Sequence, residues 1–182
     1  MKKLFYLFMI GTALSFAKPY NIDKSHSSVD FEIKHLSLTK VKGNFANFEG
    51  KIDIDPKTKI INSFTGNLDI ASIDTKDQKR DNHLKASDFF DAAKFPKAEF
   101  KMTKFENGKI YGDLTFRGIT KQVVWEAQVN GPAINPMNKQ EFIALEIEGK
   151  VNRKDFEIGL GFANVVLSDE VKFSIQLEVY AQ

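Results

Sequence analysis

Apolar and polar residues alternate with a period of two through most of this chain, the pattern of half-buried β-strands. From Ser28 to His35, Val29, Phe31 and Ile33 share one face, and Asp30, Glu32 and Lys34 share the other. Phe64, Leu68 and Ile70 oppose Thr65, Asn67 and Asp69. The same reading puts Ala98, Phe100 and Met102 on one face, then Ile110, Leu114 and Phe116, then Val123, Trp125, Ala127 and Val129. Ile143, Leu145, Ile147 and Val151 follow, and Val171, Phe173, Ile175, Leu177 and Val179 close the series. One wet face and one apolar face per strand is what an antiparallel sheet over a core requires. Val41 to Asp53 is irregular: Phe45 and Phe48 are out of phase, and Gly43 and Gly50 punctuate the run, so a bulge or bend is expected. Counting that segment gives about eight strands, separated by turn signals at Asp55-Pro56, Asn107-Gly108 and Arg117-Gly118.

The segment from Ala71 to Phe95 departs from the alternation. Its polar stretch from Asp77 to Lys85 favours helix, with Asp74 or Thr75 as the expected cap. An insertion of this length between strands, ending in Phe89, Phe90, Phe95 and Pro96, reads as a lid or mouth.

Strands of this kind close either as a two-sheet sandwich or as a single barrel. A barrel of about eight strands has an interior just wide enough for packed side chains or one ligand. The inward faces offer almost no polar atoms, so a sugar or an ion would find its polar groups unpaired there. A hydrocarbon would gain about 0.8 kcal/mol per buried methylene. The alternation leaves open whether aromatic rings fill the interior or surround a guest.

Composition narrows the setting. Lys2 and Lys3 precede an apolar run from Leu4 to Leu14, and Ser15-Phe16-Ala17 places small residues where a signal peptidase reads them. A secretory signal over residues 1–17, cut after Ala17, is therefore expected, with an uncleaved anchor as the alternative. The run is too short to make a good membrane span, so no stable membrane insertion is expected after cleavage. The whole chain has 26 basic and 24 acidic residues. Removing Lys2 and Lys3 leaves 24 against 24, without the clustered basic surface that nucleic acid demands. Cysteine is absent, which removes thiol chemistry, iron–sulfur clusters and the usual structural zinc sites. Seventeen phenylalanines must be buried in a core or line a cavity.

Few polar residues suggest chemistry. His35 continues the inward phase of Ile33, so it either meets a ligand's polar head or is a core histidine with a backbone or carboxylate partner. Arg80 and His83 lie three apart on the expected helix and suit an anionic or carbonyl head group, unless Arg80 and Asp81 brace the insertion through salt bridges. Asp23 and His26 read as a buried polar clasp. His26, His35 and His83 lack ligand-like spacing, so no metal is expected. Ser27 lacks the sharp glycine-flanked turn of a hydrolase nucleophile. Tyr111, Phe116, Trp125 and Phe142 read as core, and Phe89, Phe90 and Phe95 as apolar gates.

The residues that interrupt the alternation also form a signature: Tyr20 to Asp23, His26-Ser27, Phe31 and His35; then Gly43, Phe45 and Gly50; then Ser72 to Thr75, Arg80-Asp81, His83-Leu84, Asp88-Phe89 and Pro96. Gly112 to Leu114, Gly118, Thr120, Arg153 and Asp155-Phe156 complete it. In order and spacing this resembles the YceI family of exported bacterial proteins, from about residue 18 to the C-terminus. The resemblance implies an all-β fold, an extended eight-stranded antiparallel lipocalin-like barrel with a short helical insertion around residues 75–90. It implies a polyisoprenoid or similar long-chain lipid in the tunnel, and it leaves a homodimer open. The expected function is a periplasmic or secreted binding or carrier protein for such a ligand, without catalysis or a cofactor. The alternative is an enzyme or stress-response factor acting on that lipid. Val29, Phe31, Ile33, Phe64, Leu68, Phe100, Phe116, Trp125, Ile143, Ile147, Phe173 and Ile175 would hold the tail, with His35, Arg80, His83, Phe89 and Phe90 at the mouth.

Overall fold

The computed structural model describes residues 19–181, so the expected signal segment lies outside the described residues. In chain order the strands are β1 (Pro19–His35), β2 (Thr39–Phe45), β3 (Phe48–Asp55), β4 (Ile60–Asp69) and the short β5 (Ile73–Asp74). The helix α1 (Gln78–Leu84) follows, then β6 (Lys97–Glu106), β7 (Lys109–Phe116), β8 (Ile119–Ile134), β9 (Glu141–Asn152) and β10 (Leu167–Ala181). Every strand pairing is antiparallel. β10 pairs back onto β1, so β1, β3, β4, β6, β7, β8, β9 and β10 close an eight-stranded barrel rather than a sandwich. Closure leaves this set of strands without an open edge.

The irregular segment resolves into two strands. β2 pairs with the second half of β1, and β3 with its start, around a break at Ala46 and Asn47. That break brings both Phe45 and Phe48 into the core despite their odd spacing. Two hairpins turn as their residues require: Asn107 and Gly108 have φ of 52° and 71°, and Arg117 and Gly118 have 50° and 72°. Two successive left-handed residues match the twist of the flanking strands.

The helix falls within the expected stretch from Asp77 to Lys85, but its cap differs. Its cap is Asp77, whose carboxylate accepts from the backbone N–H of Lys79 and Arg80, and not Asp74 or Thr75. Asp74 instead accepts from Lys76, and Thr75 is buried beneath the helix. Tyr111 and Phe142 also correct the expected core. Each alternates with a fully buried isoleucine, Ile110 or Ile143, and so faces outward. Phe142 stacks there on Tyr180, with ring centroids 5.7 Å apart.

Candidate functional site

The inward residues of the barrel do not fill it. At the end carrying α1, a chamber of about 270 Å³ is lined by side chains from β1, β2, β7, β9 and β10, the helix and the segments at 85–95 and 153–166. Sixteen of its twenty lining side chains are apolar, the four others being His35, Arg80, His83 and Arg153. Toward the other end a second hollow of about 60 Å³ is lined by Val29, Phe64, Leu68, Phe100, Trp125, Ile147 and Ile175, among others. Phe173 lines both.

The expected tail-binding residues therefore divide. Phe31, Ile33, Phe116 and Phe173 face the large chamber with the mouth residues His35, Arg80, His83, Phe89 and Phe90. Ile143 is 1% exposed and lines neither space. Phe95 is not a gate. It packs over Gly118, under Arg117 and Lys94, away from both hollows. The segment carrying Phe89 is strapped down: Arg117 Nη1 donates to the carbonyls of Ser87 and Phe89, and Gly159 N–H donates to the Asp88 carbonyl at 2.8 Å.

The polar side chains at the chamber play different parts. Arg80 donates Nε to Thr75 Oγ1 at 2.7 Å and Nη2 to the Thr75 carbonyl at 2.8 Å. Thr75 in turn donates its N–H and hydroxyl to Asp81 Oδ1 at 2.9 and 2.5 Å. The brace of the insertion thus runs through Thr75, not through an Arg80–Asp81 salt bridge. Among the described residues Arg80 Nη1 has no hydrogen-bond acceptor. His83, with 53% of its side chain exposed, marks where the chamber reaches solvent. Its Nε2 lies 3.0 Å from Asp88 Oδ2, and its ring meets Phe89 edge-on at 4.8 Å. The turn that follows the chamber-lining His35 presents Leu36 and Leu38 to solvent and is hydrogen-bonded to the turn at Val165 and Val166.

Arg153 is the principal residue that sequence reasoning left out of the site. Only 2% exposed, it donates to the carbonyls of Ile158, Gly159, Phe162, Leu167 and Ser168 and pairs with Asp169 at 3.0 Å. Burial holds its pKa below the usual arginine range, with Asp169 opposing. One guanidinium so gathers the loop that carries Phe156, Ile158, Phe162 and Val166 to the chamber wall. Its place in the signature was the available signal; the carbonyls it holds have no sequence mark.

Asp23 and His26 form a clasp, 2.9 Å apart, but an exposed one. It sits on a bulge where residues 24–27 of β1 face a single residue of β10. Ser27 Oγ accepts there from Glu178 N–H at 3.0 Å, a structural task. Asp23, His26 and Glu178 place ligand-capable atoms within 4.8 Å of one another. The three histidines do not come together.

A sequence model of the YceI-like domain matches residues 20–179. A UPF0312 protein of Staphylococcus aureus (strain N315) is 35% identical over 163 residues, 87% of this chain and 95% of the relative. The crystal structure of a Campylobacter jejuni YCEI protein aligns over 100% of this chain and 99% of its own, with TM-score 0.76 and 32% identity. A polyisoprenoid binding domain from Saccharophagus degradans, implicated in plant cell wall breakdown, shares the fold at 14% identity, with TM-score 0.67 over 90% of this chain and 98% of its own.

Proposed function

This chain belongs to the YceI-like family, and on that footing we propose that it is an exported carrier that holds a long-chain apolar lipid, a polyisoprenoid or a similar chain, in the barrel. The observation that carries the reading is the chamber of about 270 Å³ with sixteen apolar lining side chains among the described residues. At roughly 30 Å³ per water-sized group, it takes about nine methylenes. Their burial is worth about 7 kcal/mol before the cost of immobilising the chain. The name of the Saccharophagus degradans protein, a polyisoprenoid binding domain, supports the ligand class through the shared fold alone.

The large chamber's four polar side chains, His35, Arg80, His83 and Arg153, lie at the barrel end that carries α1, which gives the ligand a direction. Its tail points toward Phe116 and Phe173, and its head stays near His83 and the unengaged Nη1 of Arg80. A phosphate, carboxylate or carbonyl head suits that guanidinium. The exposed apolar rim at Leu36 and Leu38 provides a greasy approach for an entering chain. Export follows from the N-terminal segment, and the periplasm or extracellular space is the proposed location. The role is binding and delivery without turnover or a cofactor, as a monomer or homodimer.

The test is organic extraction of protein purified from its native compartment, followed by mass spectrometry, and uptake of added prenyl lipids by delipidated protein. Recovery of a prenyl or long-acyl lipid at near one per chain is expected. No extracted lipid together with no uptake would end the proposal.

A further inference from the structure

The two hollows are separated by side chains that meet across the barrel's full width. Going round the wall, β6 and β10 stand four strands apart in a ring of eight, on opposite sides of the lumen. β8 lies midway between them. Phe100 on β6, Trp125 on β8 and Phe173 on β10 stack in nearly parallel planes. Centroids are 6.0 Å apart from Phe100 to Trp125 and 5.7 Å from Trp125 to Phe173, with interplanar angles of 7° and 17°. These rings form a septum below the large chamber.

Two of its three rings are seated. A Cβ on Gly112 would lie 2.4 Å from the Phe100 ring, and one on Gly149 would lie 2.1 Å from the Trp125 ring. Each ring occupies the place a neighbouring strand's side chain would take. The indole is also tied, donating Nε1–H to the Lys150 carbonyl at 3.2 Å. Phe173 has neither support: it is not among the nearest neighbours of any described glycine, and its ring has no polar atom to tether. Among the described residues it alone is shared by the two hollows.

Resting on the carrier reading, we propose that Phe173 is a swinging leaf closing on the fixed post of Trp125, and that it sets a chain-length threshold. Chains of up to about nine carbons lodge in the large chamber with the septum shut. Longer chains turn Phe173 aside and run past Trp125 toward the lower hollow. Short ligands leave the indole environment unchanged, and long ones alter it.

The sequence contains one tryptophan, so its emission reports the septum directly. The probe is a series of straight-chain alcohols from about six to about sixteen carbons, added to delipidated full-length mature protein. Affinity is read by native mass spectrometry and septum state by tryptophan emission. Expected is a rise in affinity of about fourfold per methylene up to about nine carbons. A plateau over the next few carbons follows, with the emission change starting at that plateau. In Phe173→Ala the plateau disappears and the rise continues. Phe173→Leu, which keeps more of the core volume, shortens it. A smooth rise in wild type with no emission change at any length overturns the septum while leaving the carrier intact. A plateau identical in wild type and both variants overturns it as well. Failure to bind any alcohol or prenyl lipid overturns the carrier reading itself.

Discussion

Replacing Arg153 with methionine removes the charge while keeping an unbranched apolar side chain in the same space. The wild-type guanidinium makes six contacts: the loop carbonyls of Ile158, Gly159 and Phe162, those of Leu167 and Ser168 at the start of β10, and Asp169. Hydrogen bonds to a charged donor contribute about 1.5–3 kcal/mol each. Simple addition over six would exceed the whole stability of many domains, which is about 5–15 kcal/mol. It overcounts because these acceptors share one side chain and one loop, and contributions within a network do not add. Once the loop lifts, its carbonyls recover water. The better guide is the loss of one partner from a buried ion pair, about 3–5 kcal/mol. Arg153 is 2% exposed, and Asp169 retains Lys154 at 3.0 Å, so the stranded charge is partly met. We therefore expect a loss of about 3–4 kcal/mol. With a urea m-value of about 2 kcal/mol/M, the midpoint falls by about 1.5–2 M. Equilibrium unfolding followed by Trp125 emission measures this. Arg153→Lys keeps the charge with fewer, less well-directed donors and should recover less than half of the loss. A methionine variant within about 1 kcal/mol of wild type would refute the view that this side chain holds the loop.

Other substitutions test separate parts of the structure. Thr75→Val removes the hydroxyl that serves both Asp81 and Arg80, and should cost about 1–3 kcal/mol by urea unfolding. An unchanged midpoint would show that the insertion is not braced through Thr75. Gly149→Ala puts a methyl where the indole lies and should cost about 1–3 kcal/mol while shifting tryptophan emission, in a fluorescence melt. The Asp23–His26 clasp makes a prediction in pH. Its hydrogen bond to Asp23 raises the His26 pKa above 6.5, so its contribution is full below that value and fades as pH rises through the raised one. Hydrogen bonds from Ser25 and His26 lower Asp23 to about 2 from 3.8, so its contribution is present above 3.8 and fades as pH falls through about 2. The Tm difference between wild type and His26→Ala should thus be small and largest between those limits; growth of the difference in alkali would contradict the pairing.

Much of this architecture is legible in the residues themselves. Val29, Phe31 and Ile33 point inward, and Asn107-Gly108 turns a hairpin, because side-chain alternation and left-handed backbone preference act over a few neighbours. The helical nature of the insertion was readable for the same reason, while its cap was not. Asp74, Thr75 and Asp77 are all competent caps, and the choice fell to Asp77 because Thr75 is taken by Asp81 and Arg80. Residue type misjudged Tyr111 and Phe142: an aromatic side chain suggested core, whereas the strand's period of two turns each outward.

By itself the sequence determined which side chains face the lumen, since a period of two needs no partner strand to be read. It did not determine their height along the barrel. That Phe100, Trp125 and Phe173 meet at one level, or that Arg153 reaches carbonyls up to fifteen residues away, depends on strand register and closure. Those are set by pairings between distant segments. The tertiary structure alone therefore decided whether the inward rings would fill the barrel or leave a chamber, because empty volume belongs to the whole closed wall and to no single strand.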